Sequence, residues 1–178
     1  MAYTRKSTIE FYGREDGSNA PPTTQTVQID ASQGVIEIGH PMYRSSTDGL
    51  WNIVATSAGT DAIHGFLMTD IDTELASGTA IQVALASDDI LYRIYCETTG
   101  QTTDVAESTV VLGAQYGMTV DTTAGYKGFT TLDVANTNDV FTVVDKMSTV
   151  DGVTFATTDD PGCVIVKIIG SVITQQKA

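Results

Sequence analysis

A chain of 178 residues and 18.9 kDa is one domain's worth of sequence, long enough to bury a core without disulfide or metal staples. Apolar residues make up 42%, which argues against a disordered chain, and charged residues only 17%, with Thr, Val, Ala and Gly in their place. Net charge is −13 with nine basic residues, so neither the phosphates of a nucleic acid nor an anionic membrane is a fitting partner.

Residues 1–25 stand apart. They contain Gly13, Gly17, Pro21 and Pro22 with little apolar periodicity, and their three basic residues balance three acids. The segment reads as an N-terminal arm that orders on a partner. Its candidate contacts are Tyr3, Arg5, Lys6, Ile9, Phe11, Tyr12 and Arg14, which supply apolar anchors and positive charge. Residues 26–178 carry the whole net charge, six basic against nineteen acidic residues, and read as a β-barrel domain.

From Thr26 onward, short alternating runs predict strands. They are Thr26–Asp30, Gly34–Gly39, Leu50–Val54, Ile63–Met68, Ala80–Leu85 and Ile90–Cys96, then Gly117–Asp121, Phe129–Leu132, Val140–Asp145 and Val164–Ile169. The gaps hold turn formers such as Asp48-Gly49, Asp88-Asp89 and Asp159-Asp160-Pro161-Gly162. Gly tolerates positive φ, Asp bonds its own backbone and Pro fixes φ. Asp104 with Glu107 three residues later predicts one helical turn, and Thr109–Leu112 fits either a helix or a strand. Many short strands at this spacing predict an all-β fold, a small β-barrel or compact sandwich.

No apolar run is long enough to span a bilayer as a helix: the most apolar, Val164–Ile173, is broken by Lys167, Gly170 and Ser171. The first residues lead into a polar stretch rather than the apolar core of a signal peptide, so the expectation is synthesis in the cytoplasm. Cys96 and Cys163 read as small buried side chains, without a disulfide. His40 and His64 stand at no ligand spacing from them.

Chemistry-bearing patterns are thin. Asp70, Asp72 and Glu74 alternate, which on a strand would place three carboxylates on one face, fit for a hard cation such as Ca²⁺. The Gly and later Glu of a calcium loop do not follow, so a solvated face is the preferred reading. There is no Gly-x-Ser-x-Gly, no phosphate-cradling loop and no His-Glu-x-x-His. The expectation is a protein that is not an enzyme and holds no cofactor or metal. Trp51 reads as core, with an interface anchor as the alternative; Tyr92 and Tyr95 fall on opposite faces of their strand.

One layout is distinctive. The order runs from an arm to a strand and Ile38-Gly39-His40-Pro41-Met42, a Gly turn at Asp48-Gly49, then Ala62-Ile63-His64-Gly65-Phe66-Leu67. Leu85-Ala86, Asp88-Asp89 and Leu91-Tyr92-Arg93-Ile94 follow, then Gly113, Tyr116-Gly117-Met118, the Phe141–Asp145 strand and a terminal Val/Ile strand. This order, over roughly residues 26–170, resembles the head decoration (cement) proteins of tailed bacteriophages. The resemblance implies a compact β-barrel on the outer capsid surface of a virion. It implies the major capsid protein and two further copies (a homotrimer) as partners, with no direct nucleic-acid or membrane contact. It carries over no catalytic residue. The alternatives are another virion part, such as a tail-tube or fibre-base subunit, and a carbohydrate-binding sandwich that stacks Trp51 or Tyr92 on a sugar.

Overall fold

A computed structural model describes residues 9–54, 62–98, 103–120, 130–135, 138–147, 149–150, 153–154 and 162–174. The first strands are β1 (Glu10–Arg14), β2 (Thr24–Gln28), β3 (Pro41–Arg44), β4 (Trp51–Ile53), β5 (Gly65–Leu67), β6 (Ala80–Leu85) and β7 (Ile90–Thr98). They are followed by β8 (Thr103–Asp104), β9 (Gln115–Val120), β10 (Thr130–Asp133), β11 (Phe141–Lys146), β12 (Thr149–Val150), β13 (Val153–Thr154) and β14 (Cys163–Ile168). A single helical turn, α1 (Gly170–Thr174), follows β14. The fold is all-β.

β7, β10, β9, β11 and β14 pair in that order, and β14 pairs back onto β7, which closes a five-stranded barrel. All these contacts are antiparallel except β7 with β10. The nine residues of β7 make this possible. Its first half lies between β1 and β14, and its second half turns to β10 and β8. Ile90, Tyr92, Ile94 and Cys96 point inward, where Met118, Leu132, Phe141, Val164 and Val166 join them in one buried cluster. Buried Asp133 is satisfied by the Thr119 hydroxyl at 2.7 Å and the Ala135 amide at 3.0 Å.

β2, β6, β5, β3 and β4 form a second antiparallel sheet with its own core, including Ile29, Ile36, Met42, Trp51, Leu67 and Val83. This sheet also curls. Ile29 bridges Trp51, and the Asp30 amide donates to the Trp51 carbonyl at 2.9 Å, so the first and last strands meet at one end. At the other end they splay around a polar gap of about 260 Å³. The Gln33 side chain covers part of β4's outer edge, accepting from the Ile53 amide at 3.0 Å. The expected barrel domain is therefore two curled sheets in series, residues 24–85 and 90–168, joined by the short Ala86–Asp89 link.

The predicted strands match β2, β4, β5, β6, β7, β9, β10, β11 and β14 within a few residues, although the ends of two (Asp121, Phe129) lie outside the described residues. Gly34–Gly39 is not a strand. Ser32, Gly34 and Gly39 all take positive φ, and these bends leave only one bridge, Ile36 to Ile71. Of Thr109–Leu112, Thr109 closes a 3-10 turn at Glu107–Thr109, and Val110–Leu112 are neither helix nor strand but lead into a tight turn. The described part of the expected arm also differs, since residues 10–14 form β1 on the barrel. Arg14 pairs with Asp89, Arg93 with Glu10 and Lys167 with Glu15, and together these fasten β1 to the barrel.

Cys96 and Cys163 are both wholly buried and on adjacent strands, yet they cannot meet. Cys163 is in register with Tyr95, so pleating puts it on the opposite face from Cys96. Its sulfur lies 4.0 Å from that of Met147.

Gly65 is where the second sheet tolerates no side chain. A Cβ there would stand 2.6 Å from the Ala84 carbonyl oxygen and 3.4 Å from the Trp51 ring. Gly65→Ala is expected to cost about 1–3 kcal/mol by this overpacking. A urea denaturation midpoint equal to that of the native chain would remove the claim.

Candidate interaction surfaces

Among the described residues, six of the eight exposed large apolar side chains, all but Tyr12 and Val35, lie in two places. The first is the seam between the sheets. Ile9, just before β1, and Phe11 of β1 line an apolar groove of about 450 Å³, as do Pro21 and Pro22. Phe66 and Tyr92 line it as well, their rings 4.9 Å apart and tilted by 54°. Ile38 and Met68, 45% and 41% exposed, line it from the second sheet. Ile38 is turned outward because Gly39 takes φ +85 beside it, and Met68 is the first residue past β5.

Among the described residues one carboxylate lines this groove, Glu10, which is paired with Arg93, and Asp70 and Asp72 line a separate pocket beside β6. The Asp70 carboxylate accepts from the Ile38 amide at 2.6 Å. Glu37 is hydrogen-bonded to Asp70, with Asp72 also near enough to repel it. Partial burial, then the Asp70 charge and the hydrogen bond to it, raise the Glu37 carboxyl above the usual carboxylate range.

The second place is an end of the barrel. The Val111–Ala114 turn is pinned by three bonds: Val111 amide to Tyr116 hydroxyl at 3.0 Å, Ala114 amide to Val111 carbonyl at 3.2 Å, and Gly113 amide to Val143 carbonyl at 2.9 Å. Gly113 supplies the positive φ that the turn needs. These bonds bring Val111 and Leu112, 61% and 56% exposed, alongside the strand that carries Val144, 41% exposed. Val144 faces out by the ordinary alternation of β11, whose Phe141 and Val143 point into the core, and the β11–β14 register slips between Val143 and Asp145 on either side of it.

Of the seven residues expected to contact a partner, Tyr3, Arg5 and Lys6 lie outside the described residues. Ile9 is buried at 6% exposure, a wall of the groove and part of the core rather than a free anchor. Arg14 is spent on Asp89 and on the Ala20 and Pro21 carbonyls. Phe11 and Tyr12 remain exposed, Tyr12 at the register shift in β1. Ile38, Met68, Val111, Leu112 and Val144 were not singled out as contacts from the sequence. Gly39 and Gly113, each next to an apolar residue, were the available signals for Ile38 and Leu112.

The residues of the chemical readings do not assemble on one strand face, or they lie indoors. Asp70 and Asp72 flank the Ile71 bridge and Glu74 follows in irregular chain, so they share no strand face. Among the described residues no three His, Cys, Asp or Glu side chains are placed to hold a metal ion. Trp51 and Tyr92 are both buried and offer no ring face to a sugar. His40 is wholly buried with its Nε2 3.3 Å from the Val54 carbonyl. His64 accepts from the Arg44 amide at Nδ1, 2.8 Å, and its ring meets Trp51 edge-on.

Comparison with protein-family models, curated sequences and solved structures finds no match. The functional reading therefore rests on this chain's own surfaces.

Two outcomes test the surroundings of the seam. Burial, and then the Arg44 charge, lower the His64 pKa from 6.5 to about 4. Between those values the unfolded chain binds the proton and the folded chain does not. This contribution is present above about pH 6.5 and is lost as pH falls towards 4. The stability difference between pH 7 and pH 4.5 is expected to shrink in His64→Gln; an unchanged difference would contradict the assignment. The Tyr92 hydroxyl is buried without a hydrogen-bond partner among the described residues, and burial holds its pKa well above that of a free phenol. Tyr92→Phe is expected to be neutral or to stabilise by about 1 kcal/mol, read by urea denaturation. A loss above that size would mean the hydroxyl has a partner.

Proposed function

We propose that this chain is a structural virion protein that binds the outer surface of a tailed-phage capsid and stabilises the shell, without catalysis. The observation that carries the reading is the exposed apolar end formed by Val111, Leu112 and Val144 on a closed barrel. Neighbouring large apolar residues left in water on a soluble, strongly acidic body suit contact with another protein. The turn that presents them is held by three hydrogen bonds, so little order is lost on docking.

The layout resemblance supplies the identity of the surface to be bound, a capsid of many identical subunits. On such a lattice a protomer that touches more than one subunit gains from multivalency. The acidic body keeps unbound copies soluble and repels other acidic particles. A rigid barrel also resists deformation better than a hinged pair of segments, which suits reinforcement against pressure from within.

The test is direct. Purified full-length protein is mixed with expanded phage capsids that lack their outer protein, and bound copies are counted per particle. Saturable binding is expected. Leu112→Asp with Val144→Asp is expected to weaken it at least tenfold, about 1.4 kcal/mol, with the circular dichroism spectrum unchanged. No saturation by the native chain would overturn the reading. Native affinity in the double variant would move the contact elsewhere on the barrel.

A further inference from the structure

Residues 19–22 cross the seam, from the turn after β1 on the barrel to the start of β2 in the second sheet. Both ends of this crossing are fixed. The Arg14 amide donates to the Ser18 carbonyl at 3.0 Å, and the Leu85 amide donates to the Thr23 carbonyl at 2.8 Å. Between those points the chain is neither strand nor helix. Asn19, Ala20 and Pro21 are exposed and Pro22 is half-buried.

Among the described residues, the hydrogen bonds that reach residues 19–22 come from one side chain. Arg14 Nε donates to the Ala20 carbonyl at 2.9 Å, and Arg14 Nη2 donates to the Pro21 carbonyl at 3.2 Å. Pro21 and Pro22 have no N–H, so this part of the segment can be held only through its carbonyls. The third arm of the same guanidinium pairs with Asp89, whose other oxygen accepts from the Ser87 hydroxyl. A guanidinium presents its donors in a rigid fork, which lets one side chain meet two carbonyls and a carboxylate together.

We propose that residues 19–22 are a strap over the seam groove, latched by the Arg14 guanidinium, and that the strap opens while both sheets stay folded and so controls access to the Phe66–Tyr92 ring pair.

The location fits a cover. Pro21 and Pro22 line the groove, and Phe66 and Tyr92, which line it too, are 4% and 3% exposed. Mechanics fit as well. Segments with few hydrogen bonds open at a lower free energy than the core they lie on. The two prolines stiffen their own backbone and that of the residue before each, so the segment moves as one piece about Ser18 and Thr23. Gly17, at φ +80, adjoins the first of these pivots. The strap is separate from the Val111, Leu112 and Val144 end, and the proposal does not rest on shell binding.

Thiol labelling with N-ethylmaleimide tests it in the full chain. Ala84 lines the groove and is 7% exposed, whereas Cys96 and Cys163 are wholly buried and report unfolding of the whole molecule. Ser77 is exposed and outside the groove lining. The thiol of Ala84→Cys is expected to react at least tenfold slower than that of Ser77→Cys and at least tenfold faster than Cys96 and Cys163. Its rate is expected to stay constant in urea below the unfolding transition, as local opening exposes little surface. Arg14→Gln and Arg14→Lys are each expected to raise the rate at least tenfold, with labelling of the native cysteines unchanged. A rate equal to that of Ser77→Cys would overturn the proposal, since nothing would then be covered. So would a rate that rises with urea in parallel with Cys96 and Cys163, a result that needs no Arg14 variant to fold. A rate unmoved by Arg14→Gln would overturn the latch, and a native rate in Arg14→Lys would overturn the fork as its basis.

Discussion

Closure of the barrel depends on β7. Five strands can enclose a core only if one of them finds partners on both sides along its length, and β7 does so by changing neighbours midway. Its inward residues, Ile90 to Cys96 in alternation, are the floor on which β9, β10, β11 and β14 assemble. The same strand takes β1 on its outer edge and sends Tyr92 to meet Phe66 of the second sheet. Barrel closure, the docking of β1 and the seam between the sheets are thus consequences of one pairing pattern. A closed barrel also removes the unpaired edges through which β-proteins aggregate.

The two apolar surfaces draw largely on places where regular strand geometry ends. Val144 is outward by the alternation of β11, next to a register slip, and Leu112 because Gly113 permits a tight turn. Ile38 is outward because Gly39 bends the chain beside it. These irregularities lie at the end of the barrel and at the seam, leaving the walls between them intact. The proposed role would gain from that division, with the walls supplying stiffness and the irregular places contact.

The strands were legible in the sequence wherever alternation was long enough to show which face is buried. Ala80–Leu85, Ile90–Cys96 and Val164–Ile169 are examples. β1 and β3 were not, because Glu10–Arg14 and Pro41–Arg44 carry no alternation that local pattern can read. Gly34–Gly39 alternated and still failed, because positive φ at Gly34, Gly39 and the preceding Ser32 bends the chain away from a ladder. Of the expected partner residues, Phe11 and Tyr12 are at the surface, while Arg14 is occupied by Asp89, seventy-five residues away in sequence. That engagement is a long-range contact, and short-range pattern does not encode it.

By itself the sequence determined what depends on neighbours along the chain: the β class, most strand positions, the turn sites and the strongly acidic charge. Side-chain alternation and turn chemistry act over a few residues, so a linear reading captures them. Only the tertiary structure decided that residues 24–85 and 90–168 form separate curled sheets, that Cys96 and Cys163 face opposite ways, and that Val111, Leu112 and Val144 share one end. Those outcomes depend on which distant strands pair and where a register slips, and these are settled by the packing of the whole barrel rather than by any single segment.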